Sequence, residues 1–248
     1  MKEKTIGILG GMGPEATADL FERIIKATPA RRDQNHLRVI IDNNPKIPDR
    51  TKAIVDGGLS PLYELVLTAR NLERAGADFI IIPCNAAHYF YEDLRKSVGI
   101  PILNMIELTA NAIEKSCPRA KKAGIVATNG TVRSRIYDKA LRRIGVEAAY
   151  PRLELQEKVM GAVYGNIKSG RKRTGKKIIM NIIDHFAQTG SDIFISGCTE
   201  VSLVLRGAAL PLPKVDPVQI LAEVAVTTAL GTAEDTHSAG GNRKANRD

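Results

Sequence analysis

A buried strand that ends in a thiol is predicted by the stretch Ile80-Ile81-Ile82-Pro83-Cys84-Asn85-Ala86-Ala87-His88. Its apolar run is typical of a strand buried on both faces of a parallel sheet. A proline ends the run, and a cysteine follows at once with small and polar residues. The pattern predicts that Cys84 lies at the carboxyl end of a central strand, which is where α/β folds place their ligands.

A second stretch repeats this plan, namely Asp192-Ile193-Phe194-Ile195-Ser196-Gly197-Cys198-Thr199-Glu200. The opening strand and glycine turn, 5–13, recur in the same way at 123–131, and the segment 98–104 resembles 209–215. We therefore predict an α/β fold of two similar Rossmann-like domains, each a parallel sheet flanked by helices. A pseudo-twofold axis is expected to relate the two domains.

The predicted domain boundaries follow from this repetition. Residues 1–100 and 213–231 form the first domain, and residues 101–212 form the second. The last predicted helix, 217–230, has no strand left to serve in the second domain, so we expect it to pack on the first. From 232 to 248 the chain is polar and lacks an apolar face, which predicts a disordered tail.

The sequence also predicts three local features. The segment 43–56 is rich in proline, asparagine and aspartate, and it is expected to be a ligand-binding loop that carries Arg50. Residues 132–143 are expected to form one helix, and residues 101–104 a short strand.

The composition excludes several classes of protein. The chain has 248 residues and a formal charge of +9, but its basic residues are scattered and lack interleaved aromatics, which argues against nucleic-acid binding. Its apolar runs are shorter than the roughly 20 residues of a membrane span. Three cysteines and no signal peptide indicate a cytoplasmic protein with reduced thiols. The glycine turn at 10–13 is a poor dinucleotide fingerprint.

The two matched cysteines indicate a particular chemistry. If the halves face each other, Cys84 and Cys198 lie on opposite walls of one cleft, where one thiol can remove a proton from a carbon and the other can return a proton to the opposite face. Each precedes a predicted helix, whose N-terminal field favours the thiolate. One cysteine can then rest as base and the other as acid, and the result is inversion of a stereocentre.

Three motifs in order resemble the cofactor-independent aspartate/glutamate racemases: Gly10-Gly11-Met12-Gly13-Pro14-Glu15-Ala16-Thr17, Pro83-Cys84-Asn85-Ala86-Ala87-His88 and Gly197-Cys198-Thr199-Glu200. The resemblance extends to about residue 230. It implies two α/β domains around a cleft, a homodimer, catalytic Cys84 and Cys198, a small dicarboxylic amino acid as substrate, and no pyridoxal phosphate or metal. The implied activity is interconversion of L- and D-aspartate or glutamate.

The resemblance also implies binding roles. Arg50 matches the family arginine that meets the side-chain carboxylate, and Lys168 matches the family lysine. The backbone N–H groups of Asn85, Ala86 and Thr199 are expected to hold the α-carboxylate. Ala86 replaces the threonine most common in the family, so no hydroxyl contact is available there. The full set of candidate substrate-binding residues is Met12, Arg50, Asn85, Ala86, Ala87, Lys168, Thr199 and Glu200.

Other interpretations remain open. Related two-cysteine isomerases act on hydantoins, maleate or other amino acids. A hydrolase with Cys84 as nucleophile and His88 as base is a second alternative, and a non-enzymatic protein that binds small acids is a third. Cys117 has no counterpart in the repeat and is predicted to be a packing residue.

Overall fold

The computed structural model describes residues 3–232, which form two parallel β-sheets flanked by helices. The predicted α/β class is therefore confirmed. Of the predicted tail, 232–248, all but Thr232 lies outside the described residues. Within residues 3–232, no helix is long and apolar enough to cross a bilayer.

The first sheet has β1 at its centre, in the order β2-β1-β3. Its strands are β1 (Ile6–Gly10), β2 (Val39–Asn43) and β3 (Phe79–Ile81). Both partners run parallel to β1, and Ile102 adds a single parallel bridge to Ile80 of β3. Every residue of β1 and β3 is buried, as expected for strands covered by helices on both faces.

The second sheet has the strand order β5-β4-β6-β7. Its strands are β4 (Lys122–Ile125), β5 (Glu147–Ala149), β6 (Ile193–Ile195) and β7 (Lys214–Val215). All three pairings are parallel. The first strand of each half is thus flanked by the second and third strands of that half, which matches the predicted repeat. The pseudo-twofold axis itself stays a prediction.

Helices follow the strands in both halves. Before β4 they are α1 (Pro14–Ala27), α2 (Arg50–Asp56), α3 (Leu62–Arg74), α4 (Tyr91–Arg95) and α5 (Met105–Ser116), with 3₁₀ turns at Asp33–Asn35 and Ala86–Phe90. The later ones are α6 (Asn129–Ser134), α7 (Ile136–Arg143), α8 (Leu153–Met160), α9 (Lys172–Gln188), α10 (Thr199–Val204) and α11 (Pro217–Leu230), and a π-helical segment spans Gly161–Ile167.

Three local predictions were wrong. The predicted loop at 43–56 contains α2, because the side chain of Asp49 accepts a hydrogen bond from the Lys52 N–H and caps the helix. The predicted helix at 132–143 is broken at Arg135, which has a φ of 53° and separates α6 from α7. The predicted strand at 101–104 is reduced to the one bridge at Ile102.

The last helix returns to the first half of the molecule. α11 begins with Pro217 after the capping side chain of Asp216, and Gly231 ends it in the left-handed conformation. Its apolar face packs with β1, β3 and α1 in one core, and α5 contributes to the same core. The preceding strand, β7, still pairs with β6 of the second sheet. The predicted domain boundaries stay a prediction.

Candidate active site

Cys84 and Cys198 line the same cavity. Cys84 comes three residues after the end of β3, and Cys198 comes three residues after the end of β6. Each cysteine is 7% exposed. Because the carboxyl ends of the two sheets face this cavity, equal offsets along the chain bring the two thiols to one site.

Most of the predicted substrate-binding residues also line this cavity, namely Met12, Arg50, Asn85, Ala86, Lys168, Thr199 and Glu200. Ala87 does not line it: the residue is fully buried in the apolar core of the first half. The one turn of 3₁₀ helix that begins at Ala86 directs Ala87 into that core. The Ala87 side chain therefore does not reach the cavity.

The cavity wall contains residues that the sequence did not single out, namely Thr51, Thr128, Thr131, Tyr164 and Gly197. A signal existed for Thr128 and Thr131, because they flank the turn that repeats the glycine turn of the first half. No pattern marked Tyr164. Its position depends on the π-helical segment after α8, and such segments have no simple sequence signature.

His88 is a structural residue beneath the Cys84 loop. Its Nε2 accepts a hydrogen bond of 3.1 Å from the Met105 N–H, and its Nδ1 donates one of 2.9 Å to the Cys84 carbonyl. Burial lowers the pKa of His88 to about 4, so the ring is neutral at physiological pH. Both ring nitrogens are engaged with the backbone, which leaves neither to act as a base on the Cys84 thiol.

Cys198 lies in an environment that keeps its thiol protonated. The Sγ donates a hydrogen bond of 2.9 Å to Oε2 of Glu200. Burial raises the pKa of Cys198 well above its usual value, and the Glu200 carboxylate raises it further, while the Lys168 ammonium opposes the shift. Burial and the neighbouring carboxylate act against the expected effect of a helix N-terminus, which favours a thiolate.

Lys168 and Glu200 form an ion pair at the rim of the cavity, with Nζ and Oε1 3.2 Å apart. Burial alone would lower the pKa of Lys168, but the neighbouring Glu200 carboxylate helps to raise it above its usual value. The ammonium also lies 4.9 Å from the centre of the Tyr164 ring, whose hydroxyl donates to Asp49. These contacts fix the position of Lys168 immediately after the π-helical segment.

Arg50 is a buried cation whose partners are neutral. Its Nη1 donates to the carbonyls of Ile47 and Pro48 at 3.0 and 2.8 Å, and its Nη2 donates to the carbonyl of Met12 at 3.5 Å. The buried Nε has no partner within residues 3–232, and no carboxylate of that part of the chain lies within 4.0 Å of the guanidinium. A buried charge of this kind is stabilised by a bound anion.

A larger cavity adjoins the cysteine cavity. The two cavities share four residues, Arg50, Lys168, Thr199 and Glu200. Two cations and one carboxylate therefore stand at the passage between the inner cavity and the outer one. Within the described residues, no group of three or more His, Cys, Asp and Glu side chains is arranged to hold a metal ion.

Asn85 connects the two halves across the cavity wall. Its Oδ1 accepts a hydrogen bond of 2.5 Å from the Tyr137 hydroxyl, which belongs to α7 of the second half. Both side chains are buried, at 2% and 0% exposure. The Nδ2 of Asn85 has no partner in the described part of the chain.

The fold and these side chains define a class of α/β protein in which two parallel-sheet halves each present a cysteine to one shared cavity. The sequence model of the Asp/Glu/hydantoin racemase family matches residues 9–225. The chain belongs to this family, which confirms the resemblance found in its motifs.

Several racemases are similar to this chain in sequence or in structure. The aspartate racemase of Picrophilus torridus is a solved structure that is 31% identical, with a TM-score of 0.82 over 91% of this chain and 94% of that one. The broad specificity amino-acid racemase RacX of Bacillus subtilis is 29% identical over 238 residues, covering 91% of this chain and 98% of RacX. A glutamate racemase from Francisella tularensis, solved with D-glutamate, is 16% identical with a TM-score of 0.64 and shows the common fold.

Proposed function

We propose that this protein is an amino-acid racemase that works without pyridoxal phosphate and interconverts L- and D-aspartate, with glutamate as the second candidate substrate. The observation that carries the proposal is that Cys84 and Cys198 share one cavity with Arg50 and Lys168. Two thiols supply the proton carriers, and two cations suit a substrate with two carboxylates.

In the proposed reaction the two cysteines exchange roles between directions. Cys84 removes the α-proton of one enantiomer as a thiolate, and Cys198 delivers its own proton to the opposite face of the carbon. Afterwards Cys84 is a thiol and Cys198 a thiolate, so the reverse reaction starts from the products of the forward one. The protonated state of Cys198, hydrogen-bonded to Glu200, supports the acid role in the first direction.

The charge that develops on the substrate α-carboxylate needs hydrogen-bond donors. The first N–H groups of the turns after each cysteine, at Asn85, Ala86 and Thr199, are free of intrahelical partners because helices leave their first donors unpaired. These three backbone groups are the proposed α-carboxylate site. Ala86 lines the cavity with a methyl group, so its contribution is restricted to the backbone.

Arg50 is the proposed partner of the substrate side-chain carboxylate. The guanidinium already binds three carbonyls, which fix its orientation, and it lacks an anionic partner in residues 3–232. A carboxylate at this position converts a costly isolated charge into an ion pair. Lys168 and Glu200 lie on the other side of the passage and, in the proposal, frame the entering substrate.

The test is deuterium incorporation at the α-carbon of L-aspartate and L-glutamate in D₂O, with chiral chromatography of the products. We expect Cys84→Ala and Cys198→Ala each to abolish inversion, because each removes one of the two proton carriers. Cys117→Ala is the matched control, since Cys117 lies outside the cavity, and it should retain activity. Racemisation at the wild-type rate by either of the first two variants refutes the two-base assignment.

A panel of amino acids, hydantoins and maleate tests the breadth of the substrate range. The relative from Bacillus subtilis is described as a broad specificity racemase, and the absence of a hydroxyl at Ala86 suits a less selective site. Turnover of several neutral amino acids at rates similar to that of aspartate would favour a broad-specificity racemase. A covalent acyl adduct on Cys84 would favour the hydrolase instead, and binding without deuterium exchange would favour the non-enzymatic protein.

The proposal retains two further predictions from the sequence. We expect a homodimer, and sedimentation velocity of the purified protein measures its mass directly. We also expect residence in the cytoplasm, for which fractionation of cells expressing the intact chain is the test.

A further inference from the structure

The side-chain amide of Asn85 is held in one orientation by a residue from the other half of the protein. A primary amide has one acceptor oxygen and two N–H donors. The Tyr137 hydroxyl donates to the Asn85 oxygen, so the amide nitrogen must face away from the tyrosine. This nitrogen is buried and has no partner in residues 3–232, and Asn85 itself lines the cysteine cavity.

A buried donor without a partner destabilises the folded state, which is why such groups are rare in folded proteins. The cost is recovered when a ligand supplies the acceptor. In the proposed reaction the substrate α-carboxylate gains negative charge as the α-proton leaves, so a fixed donor next to Cys84 binds more strongly in the transition state than in the ground state.

Tyr137 is well suited to hold the amide. It is fully buried, and burial raises the pKa of its phenol far above its usual value, so the hydroxyl remains a donor at all physiological pH values. Its place in the first turn of α7 depends on the left-handed Arg135, which ends α6 and starts the new helix. A continuous helix over 132–143 would present this turn in a different direction.

We propose that Tyr137 is a positioning residue for the racemase reaction: it fixes the Asn85 amide with Nδ2 toward the substrate carboxylate and so couples the second half of the protein to the Cys84 wall. The inference rests on the proposed function, which supplies the carboxylate. It adds an interaction between the halves that the cysteines alone do not require. The two residues that make it, Asn85 and Tyr137, are 52 residues apart in sequence.

A double-mutant cycle with Tyr137→Phe and Asn85→Ala tests the proposal, with kcat and KM measured in both directions. We expect Tyr137→Phe to lower kcat about fivefold with a smaller change in KM, since an amide that is no longer fixed makes a weaker hydrogen bond to the carboxylate, mainly in the transition state. In the Asn85→Ala background the same change should alter kcat less than about twofold, because Tyr137 acts through Asn85. Equal effects of Tyr137→Phe in the two backgrounds, or none in the wild type, would overturn the proposal.

Tyr150→Phe is the matched control. The Tyr150 hydroxyl also donates a hydrogen bond of 2.5 Å to a residue of α7, Asp138. Tyr150 itself does not line the cavity. We expect its kcat to stay at the wild-type value. A kcat loss in Tyr150→Phe equal to that in Tyr137→Phe would mean that any lost tyrosine hydroxyl in this region perturbs the site, which contradicts a specific positioning role.

A second variant and a second readout keep the test independent of folding and of turnover. Asn85→Asp keeps an oxygen for Tyr137 but replaces the donor by an acceptor, so its kcat should fall at least as far as that of Asn85→Ala; a kcat near the wild-type value would overturn the proposal. Calorimetric binding of L-aspartate to Cys84→Ala, with and without Tyr137→Phe, reports on the donor without catalysis. If Tyr137→Phe weakens L-aspartate binding, and does not weaken it further in the Asn85→Ala background, the positioning role is supported even if no racemisation is found. Binding that Tyr137→Phe leaves unchanged contradicts the role.

Discussion

Replacing Asp216 with asparagine removes one charge from a buried network that joins the two halves. The Asp216 side chain accepts hydrogen bonds from the first N–H groups of α11, and asparagine can do the same. The carboxylate also pairs with Arg23 of α1 at 3.0 Å and with Lys214 of β7 at 3.2 Å. The substitution therefore preserves the shape and the helix cap and removes the charge.

The magnitude follows from what remains after the change. Removing one partner of a buried ion pair costs about 3–5 kcal/mol. Arg23 keeps Asp19 at 2.8 Å, and Lys214 is 23% exposed, so water compensates part of its lost partner. We therefore expect Asp216→Asn to lower the free energy of unfolding by about 2–3 kcal/mol, which is about 5–10 °C in Tm for a chain of this size.

The assay is urea unfolding at several pH values, with Glu92→Gln as the control, because Glu92 forms an exposed ion pair with Arg95. The Arg23 and Lys214 charges outweigh burial and lower the pKa of Asp216, so its contribution is complete above the unfolded pKa of about 3.9 and is lost as pH falls through the folded pKa. The difference between wild type and Asp216→Asn should be constant near neutrality and shrink in acid. A difference that persists in acid, or that is no larger than the effect of Glu92→Gln, would contradict a buried ion pair at Asp216 as the source of this stability.

The network also bears on the site. Ser202 of α10 donates a hydrogen bond of 2.8 Å to Asp216. Cys198 occupies the N-cap position of the same helix. The buried Ser202–Asp216 bond thus anchors the helix that follows one thiol to the helix α11 of the first half. Loss of kcat in Ser202→Ala, which removes this hydrogen bond, beyond the loss of folded protein would show that this anchor matters for the reaction.

Three more outcomes are expected. Glu200→Gln removes a charge that raises the pKa of Cys198. Iodoacetamide should therefore alkylate Cys198 faster at pH 8, as followed by mass spectrometry, and a slower reaction contradicts this effect of the Glu200 carboxylate. Gly124→Ala places a Cβ 2.5 Å from the Phe186 ring and should lower unfolding free energy by about 1–3 kcal/mol in urea titrations, whereas a neutral effect contradicts the tight packing. His88 is neutral when folded, so the wild type should lose about 3 kcal/mol of stability between pH 6.5 and about 4, and His88→Gln should lack this loss if burial is its cause.

The position of both thiols could be predicted from the sequence because it depends on local order. An apolar run followed by a small residue and a cysteine places the thiol at a strand end, and parallel strands bring their ends to one edge. The repetition of the pattern at Cys84 and Cys198 indicated two halves, and the halves meet at one cavity. Arg50 and Lys168 were named from the family resemblance, since nothing local distinguishes them among 36 basic residues.

The contacts that orient these groups could not be predicted, because their partners are remote in sequence. Tyr137 and Asn85 are 52 residues apart, and Arg23 and Asp216 are 193 apart. Periodicity reports which face of an element is apolar but not which polar group meets which across an interface. The break at Arg135 was missed for a similar reason, since a single left-handed residue does not interrupt the helical pattern of its neighbours.

The repeated fold supplies two thiols at equal offsets, but it does not give them equal surroundings. Cys198 donates to a carboxylate and is held as a thiol, whereas the loop of Cys84 is fixed through its carbonyl by a neutral histidine. In the proposed reaction, a resting Cys198 thiol requires Cys84 to take the first proton. Cys198 therefore starts as the acid toward the enantiomer whose α-hydrogen faces Cys84, and it must lose its proton before it can act as the base toward the opposite enantiomer.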